Sequence, residues 1–153
     1  MRIALGGDHA GFELKELVRR ELESAGHVVI DKGAYQYVAT DDYPDFALAV
    51  ARSVGTKEAE RGIVVCGSGI GASIAANKVP GVRAGLCTDS YSAHQGVEHD
   101  DMNVLILAGR ITGVAIAEEI LKSFVGAKFS GEERHLRRLE KVLNAEKEYC
   151  GAK

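Results

Sequence analysis

The sequence predicts a single α/β domain in which helices cover both faces of a five-stranded parallel sheet. Short apolar runs rich in Val and Ile alternate along the chain with longer segments whose apolar residues recur at helical spacing. The chain has 153 residues, of which 46% are hydrophobic and 27% are charged. This is the length and the balance of one globular domain, so residues 1–153 are predicted to form a single unit.

The predicted elements follow one another from the first residues onward. Five runs are predicted as strands: Arg2–Gly6, His27–Lys32, Gly62–Cys66, Val82–Cys87 and Asn103–Ala108. A first helix, which Gly26 ends, carries one apolar stripe made of Leu14, Leu17, Val18 and Leu22. Further helices are predicted over Pro44–Val54, Ile70–Asn77, Ser90–Glu98 and Thr112–Val125.

The C-terminal segment Gly131–Tyr149 is predicted as an extra helix with a narrow apolar stripe. Its apolar positions are Leu136, Leu139, Val142 and Leu143, and nearly all other positions are charged. Such a helix either packs as a solvated helix on its own domain or docks onto a second subunit. Because five helices already cover the sheet, both arrangements stay open.

Charge and hydropathy narrow the classes of partner. The formal net charge is −3 with both signs interspersed, so neither nucleic acid nor an anionic membrane is an expected partner. The apolar run at the N-terminus is too short for a signal peptide, and no later stretch approaches the ~18 apolar residues of a membrane span. The protein is therefore expected in the cytoplasm, binding a small anion held locally.

Neither a metal nor another cofactor is expected. Cys66, Cys87 and Cys150 are widely spaced and match neither a disulfide framework nor a zinc motif, so they are predicted to be free thiols. His99, Asp100 and Asp101 are possible ligands, but adjacent residues rarely converge on one ion and no second cluster accompanies them.

The carboxyl ends of the predicted strands carry most of the candidate functional residues. Ligands of open parallel sheets bind at this edge, where Gly6–Gly11, Cys66–Gly71 and Gly109-Arg110 follow the first, third and fifth strands. Gly67, Gly69 and Gly71 allow backbone N–H groups to face a bound oxygen, which predicts an oxyanion cradle. A dinucleotide site is disfavoured, because its glycine fingerprint belongs after the first strand.

Cys66 stands directly before this cradle, near the start of a predicted helix. A helix N-terminus lowers the pKa of a nearby thiol, so the sequence predicts a reactive thiolate, whereas Cys87 and Cys150 are predicted to pack as small apolar residues. His9 either donates to an anion or forms a capping pair with Asp8. The segment His99–Asp101 is expected in the loop before the fifth strand, and topology alone does not place it at the site.

Five stretches together carry a family resemblance. They are GGDHAGFELK at the start, VIDKG after the first helix, DYP at 42–44, CGSGIGASIAANKVPGVRA at 66–84 and NVLILAGRITG at 103–113. The chain closely resembles the type B ribose-5-phosphate isomerases, whose superfamily includes the galactose-6-phosphate isomerase subunits. The resemblance implies a Rossmann-like three-layer domain that forms homodimers, each active site being completed by the other subunit.

The resemblance implies an aldose-ketose isomerase that acts on ribose 5-phosphate through an enediolate. It gives proton transfer to Cys66, a small hydroxyl to Ser68 and ring opening to His99. It brings Asp8 and Tyr43 close to the sugar. The alternatives are an isomerase of another phosphosugar, such as allose 6-phosphate, galactose 6-phosphate or a tetrose phosphate, and a phosphosugar-binding module without catalysis.

The same resemblance implies a phosphate clamp and one departure. The clamp consists of His9, Arg110, Arg134, His135 and Arg138. The match at the C-terminal end needs one extra residue, so Arg137 could replace Arg138. At position 100 the family usually has Asn, and this chain has Asp100, which when ionised accepts hydrogen bonds but cannot donate them.

Overall fold

The computed structural model describes residues 1–150 and confirms the predicted fold class. The strands are β1 (Arg2–Gly7), β2 (Val28–Asp31), β3 (Arg61–Cys66), β4 (Ala84–Leu86) and β5 (Val104–Ala108). The helices are α1 (Phe12–Ser24), α2 (Tyr43–Gly55), α3 (Ile70–Ala76), α4 (Ser90–Asp100), α5 (Val114–Gly126) and α6 (Glu133–Cys150). The side chain of Cys150, predicted to pack as a small apolar residue, lies outside the described part of the chain.

All neighbouring strands pair in parallel, in the order β2-β1-β3-β5-β4. Side chains alternate between two apolar cores along each strand. Ile63 and Val65 face the layer of α1, α4 and α5, whereas Val64 and Cys66 face α2 and α3. No helix in residues 1–150 is long and apolar enough to span a membrane.

Two predicted boundaries differ in a way that matters for function. The fourth strand is limited to Ala84–Leu86, and α4 continues through His99 and Asp100 to a left-handed cap at Asp101, whose φ is 51°. The prediction of a loop at 99–100 was therefore wrong. The helix continues because the Asp101 N–H still donates to the Val97 carbonyl, at 3.1 Å.

The strand order creates a topological switch point between β1 and β3. From β1 the chain crosses to β2 on one side, while β3 lies on the other side, so the loops after β1 and β3 diverge and leave a crevice. Gly7 is in register with Val65, which brings the residues after β1 beside Cys66 at the end of β3.

Helix α6 extends beyond the two layers and packs against α4. Glu146 accepts a hydrogen bond from the Gly81 N–H at 2.9 Å, but Leu136 and Val142 stay 50% and 57% exposed. The narrow apolar stripe predicted for this helix is therefore covered only in part by its own chain.

Lys15 is fully buried in α1 although its side chain ends in an ammonium group. Its Nζ donates to Asp31 Oδ2 at 2.8 Å, to the Ala34 carbonyl at 3.0 Å and to Glu16 Oε1 at 3.1 Å. All three donors of the ammonium are thus satisfied. The interaction connects α1 to the segment that follows β2, beside the crevice.

Replacing Lys15 by Met should lower the free energy of unfolding by about 3 kcal/mol, because the Asp31 carboxylate and the Ala34 carbonyl lose their buried donor. Urea unfolding at one fixed protein concentration measures the change. The exposed Lys122 of α5 provides the control Lys122→Met. Equal stabilities of the two variants would contradict this role of Lys15.

Candidate active site

Asp8 connects the loop after β1 to the end of β3. Its Oδ1 accepts a hydrogen bond from the Gly11 N–H at 3.0 Å, and its Oδ2 accepts one from the Cys66 thiol at 3.1 Å. Its own N–H donates to the Val65 carbonyl at 3.2 Å. Gly11 is required here, because a Cβ at this position would lie 2.9 Å from the backbone N of Cys66. The thiol and the carboxylate are both buried.

The loop Cys66–Gly71 forms the predicted cradle around the thiol. Gly69 is the residue that caps the start of α3, and it has the left-handed conformation, with φ of 78°, which glycine adopts without strain. The backbone N–H groups of Gly67 and Gly69 favour the ionised form of the Cys66 sulfur and so act to lower its pKa. Ser68 is exposed in this loop, with Oγ 3.4 Å from the Ile70 N–H.

Tyr43 and Arg110 border the same loop. The Tyr43 ring lies so close to Gly71 that a Cβ there would be 2.9 Å from the phenol oxygen. The Arg110 N–H donates to the Gly67 carbonyl at 3.0 Å, and its exposed guanidinium makes no hydrogen bond or ion pair with a described side chain or carbonyl. It is available to an anion at the cradle.

The thiol of Cys66 is protonated in this environment. Burial, together with the hydrogen bond to Asp8 and its negative charge, raises the pKa of the thiol to about 11, although the N–H groups of Gly69 and Gly67 act in the opposite direction. The prediction of a lowered pKa was therefore wrong. The helix start and cradle do favour a thiolate, but desolvation and the adjacent negative charge outweigh them.

His9 does not pair with Asp8. Its ring Nδ1 lies 2.6 Å from Asp41 Oδ1, and its backbone N–H donates to the same oxygen at 3.1 Å. Sequence reasoning missed Asp41, which is 32 residues away in the chain and belongs to no local motif. Asp8 therefore does cap the Gly11 N–H, as one of the two predicted alternatives has it, but the partner of His9 is Asp41 and not Asp8.

His99 lies at the opposite end of the sheet from Cys66. The last turn of α4 leads into the amino end of β5, and Asp101 beside it binds Arg83, which precedes β4, at 2.6 Å. The His99 ring stacks on His135 of α6 with 4.0 Å between ring centroids.

His135 is buried under His99 and held by Ser130, whose Oγ lies 2.6 Å from its Nδ1. Burial lowers the pKa of His135, and the nearby His99 and Arg134 lower it further. Its neutral ring therefore provides a support for His99 that adds no positive charge.

A groove of about 330 Å³ runs between the end of α4 and α6. Its lining residues are Asn77, Arg83, Asp100, Arg138, Leu139 and Val142. Arg138 lines this groove and Arg137 does not, whereas Arg134 pairs with Glu132 at 2.9 Å. The side chain of Asp100 is exposed and forms no hydrogen bond within the described residues.

The predicted site residues thus form two clusters at opposite ends of the sheet. The carboxyl-edge cluster consists of Asp8, His9, Tyr43, Cys66, Gly67, Ser68, Gly69, Gly71 and Arg110. The amino-edge cluster consists of His99, Asp100, Arg134, His135 and Arg138. One chain does not bring the two clusters together. Residues 1–149 contain no group of three or more His, Cys, Asp or Glu side chains arranged to hold a metal ion.

The Cys66 thiol donates a hydrogen bond to a carboxylate and lies beside backbone N–H groups at the switch point of a parallel sheet. This arrangement defines an α/β enzyme site for a small anionic substrate. Residues 3–142 match the family model of ribose/galactose isomerase. Ribose-5-phosphate isomerase B of Escherichia coli (strain K12) is 42% identical over 145 residues, or 95% of this chain and 96% of the relative. The chain belongs to the ribose/galactose isomerase family and is by class a sugar-phosphate isomerase.

Solved structures agree with this membership. Ribose-5-phosphate isomerase B from Clostridium thermocellum has a TM-score of 0.94 at 46% identity, with 97% of this chain and 99% of that chain covered. The enzyme of the same name from Mycoplasma genitalium, with bound ribulose-5-phosphate, has a TM-score of 0.92 at 38% identity, covering 96% and 97%. The predicted three-layer architecture is that of these proteins.

Replacing Asp8 by Asn should lower the pKa of the Cys66 thiol and speed its alkylation at pH 8 by about tenfold, since one pKa unit changes the thiolate fraction tenfold. Mass spectrometry of the peptide that contains Cys66 measures the rate. Cys87 is the internal reference, because burial and Asp89 raise its pKa to about 11 without involving Asp8. An unchanged ratio of the two rates would refute the role of Asp8.

Proposed function

We propose that the protein interconverts ribose 5-phosphate and ribulose 5-phosphate in the cytoplasm, with Cys66 as the base. The observation that carries the proposal is the buried Cys66 thiol, 3.1 Å from Asp8 and enclosed by the glycine cradle. The related structure with bound ribulose-5-phosphate supports the choice of substrate.

The proton transfers balance within this arrangement. The thiol proton passes to Asp8, and the thiolate then removes hydrogen from carbon 2 of the open-chain aldose. The electron pair forms the double bond of the enediolate, whose negative oxygen is stabilised by the N–H groups of Gly67 and Gly69. Ser68 relays the proton of the carbon-2 hydroxyl to the oxygen on carbon 1, and Cys66 returns its proton to carbon 1 to give the ketose. Asp8 then gives the original thiol proton back to Cys66. The electrons stay within the substrate, so this route requires neither a metal nor a redox cofactor.

The amino-edge cluster is supplied to each site by a second subunit in this proposal. His99 then takes the proton of the anomeric hydroxyl to open the ring, supported by His135 beneath it. Arg134 and Arg138 join His9 and Arg110 around the phosphate, where guanidinium groups form paired, charge-assisted hydrogen bonds. The partly exposed apolar stripe of α6 supports a homodimer, since a second copy would cover it.

Asp100 favours one alternative substrate class. Its carboxylate lines the groove beside Arg138 and can accept a hydrogen bond from a sugar hydroxyl, but an amide would also donate one. A hexose phosphate has one hydroxyl more than ribose 5-phosphate for such a carboxylate to bind, so an isomerase of a phosphorylated hexose, such as galactose 6-phosphate, is the second candidate. Turnover of both sugars in the presence of a chelator distinguishes the two and tests metal independence.

Cys66→Ala should slow exchange of the carbon-2 hydrogen of ribose 5-phosphate with solvent by at least about 10², because the base is lost while the phosphate clamp remains. Loss of the proton signal in heavy water measures exchange, and calorimetry measures binding. Cys87→Ala, which removes a buried thiol from the other core, serves as the control. Near-normal exchange in Cys66→Ala would show that another group is the base.

Mixing inactive Cys66→Ala protein with inactive His99→Ala protein should restore about a quarter of the wild-type activity. Half of the randomly formed dimers are mixed, and one of the two sites in each mixed dimer is intact. Mixing Cys66→Ala with Ser68→Ala should restore none, because both changes lie in the carboxyl-edge cluster. Absence of recovery despite measured subunit exchange would contradict the shared site.

A further inference from the structure

The carboxylate of Asp41 depends on His9 for all of its hydrogen bonds within residues 1–149. Oδ1 binds both the ring and the backbone N–H of His9, at 2.6 and 3.1 Å. Oδ2 is buried and has no hydrogen-bond partner. The Asp41 side chain is only 10% exposed.

A purely structural explanation for this carboxylate is weak. Burial of an ionised group with one oxygen unpaired is destabilising, and a neutral residue of similar size would avoid that loss. Proteins retain such unfavourable groups chiefly at functional sites. The single partner residue, His9, belongs to the carboxyl-edge cluster, so the function of Asp41 is to be sought through His9.

The His9 ring is constrained at two places. Asp41 binds Nδ1, and the Tyr37 ring packs edge-on against the imidazole, with 6.2 Å between centroids and an interplanar angle of 87°. The remaining nitrogen, Nε2, binds no described residue. The hydrogen bond at Nδ1 decides which nitrogen carries hydrogen in the neutral ring.

We propose that Asp41 is a positioning residue that fixes His9 with the Nδ1 hydrogen directed at the carboxylate and presents Nε2 to the phosphoryl group of the substrate. When the phosphoryl group binds, Nε2 takes up one proton, from the phosphate monoanion or from water, and donates it in a hydrogen bond to an oxygen of the phosphate. The nature of this ligand rests on the proposed function, whereas the orientation of the ring does not.

The state of the ring is tested by nitrogen-15 NMR of the imidazoles at a pH where they are neutral, with His9→Gln used to identify the signal. The wild type and Asp41→Asn, which keeps the acceptor oxygen, should carry hydrogen on Nδ1. Asp41→Leu should carry it on Nε2. The control Asp45→Asn removes an exposed carboxylate of the first turn of α2 and should match the wild type. Hydrogen on Nε2 in the wild type would overturn the proposal.

Kinetics with ribose 5-phosphate test the consequence. Asp41→Leu should raise KM about tenfold and leave kcat within about twofold, the result expected when a binding contact present throughout the reaction is lost. In a His9→Gln background the same change should alter KM by less than about twofold, because Asp41 acts through the lost ring. An undiminished effect in that background would show a structural role and overturn the proposal.

If Asp41→Leu does not fold, Asp41→Asn takes its place in the same comparison with and without His9→Gln. A smaller rise in KM is then expected, and it should again disappear in the His9→Gln background. A wild-type ring with hydrogen on Nδ1 but no turnover of the sugar would refute the proposed function alone. Turnover with hydrogen on Nε2 would refute the present inference alone.

Discussion

The Asp8 carboxylate joins two strand ends that the topology of the sheet would otherwise let diverge. It binds the Gly11 N–H on one side and the Cys66 thiol on the other, at the switch point between β1 and β3. Gly11 makes this approach possible, because any side chain there would collide with the backbone of β3. The position of the thiol inside the cradle depends on this interaction, and so does its protonation state.

The order of elements fixes the two clusters at opposite ends of one chain. A helix that follows a strand in a parallel sheet runs back to the amino edge, so the end of α4 places His99 far from the end of β3. A site that needs both ends must therefore use two chains. In the proposed dimer α6 serves the same site, because its His135 stacks on His99 and part of its apolar stripe stays exposed for a second copy.

Local patterns in the sequence predicted most of the fold, but they could not predict contacts between residues that are distant in the chain. Apolar periodicity located every strand and helix, because a buried strand or helix face requires apolar residues at alternate or helically spaced positions of the sequence. The spacing of Gly67, Gly69 and Gly71 was likewise enough to predict the glycine loop. The sign of the Cys66 pKa shift could not be read in this way, since Asp8 lies 58 residues away and burial depends on the packed molecule. The role of Asp41 could not be predicted for the same reason, because Asp41 comes close to His9 only in the folded chain.

A thiol with a raised pKa is suited to the proposed reaction. With a pKa of about 11, only about one thiol in 10⁴ is ionised near pH 7, so a free thiolate would be scarce. The same raised pKa makes the thiolate a stronger base toward a carbon-bound hydrogen once it forms. In the proposed mechanism Asp8 reconciles the two requirements, because it already accepts the thiol hydrogen bond, at 3.1 Å, and can take the proton without its release to solvent. A resting thiol is also protected from oxidation, which attacks the thiolate.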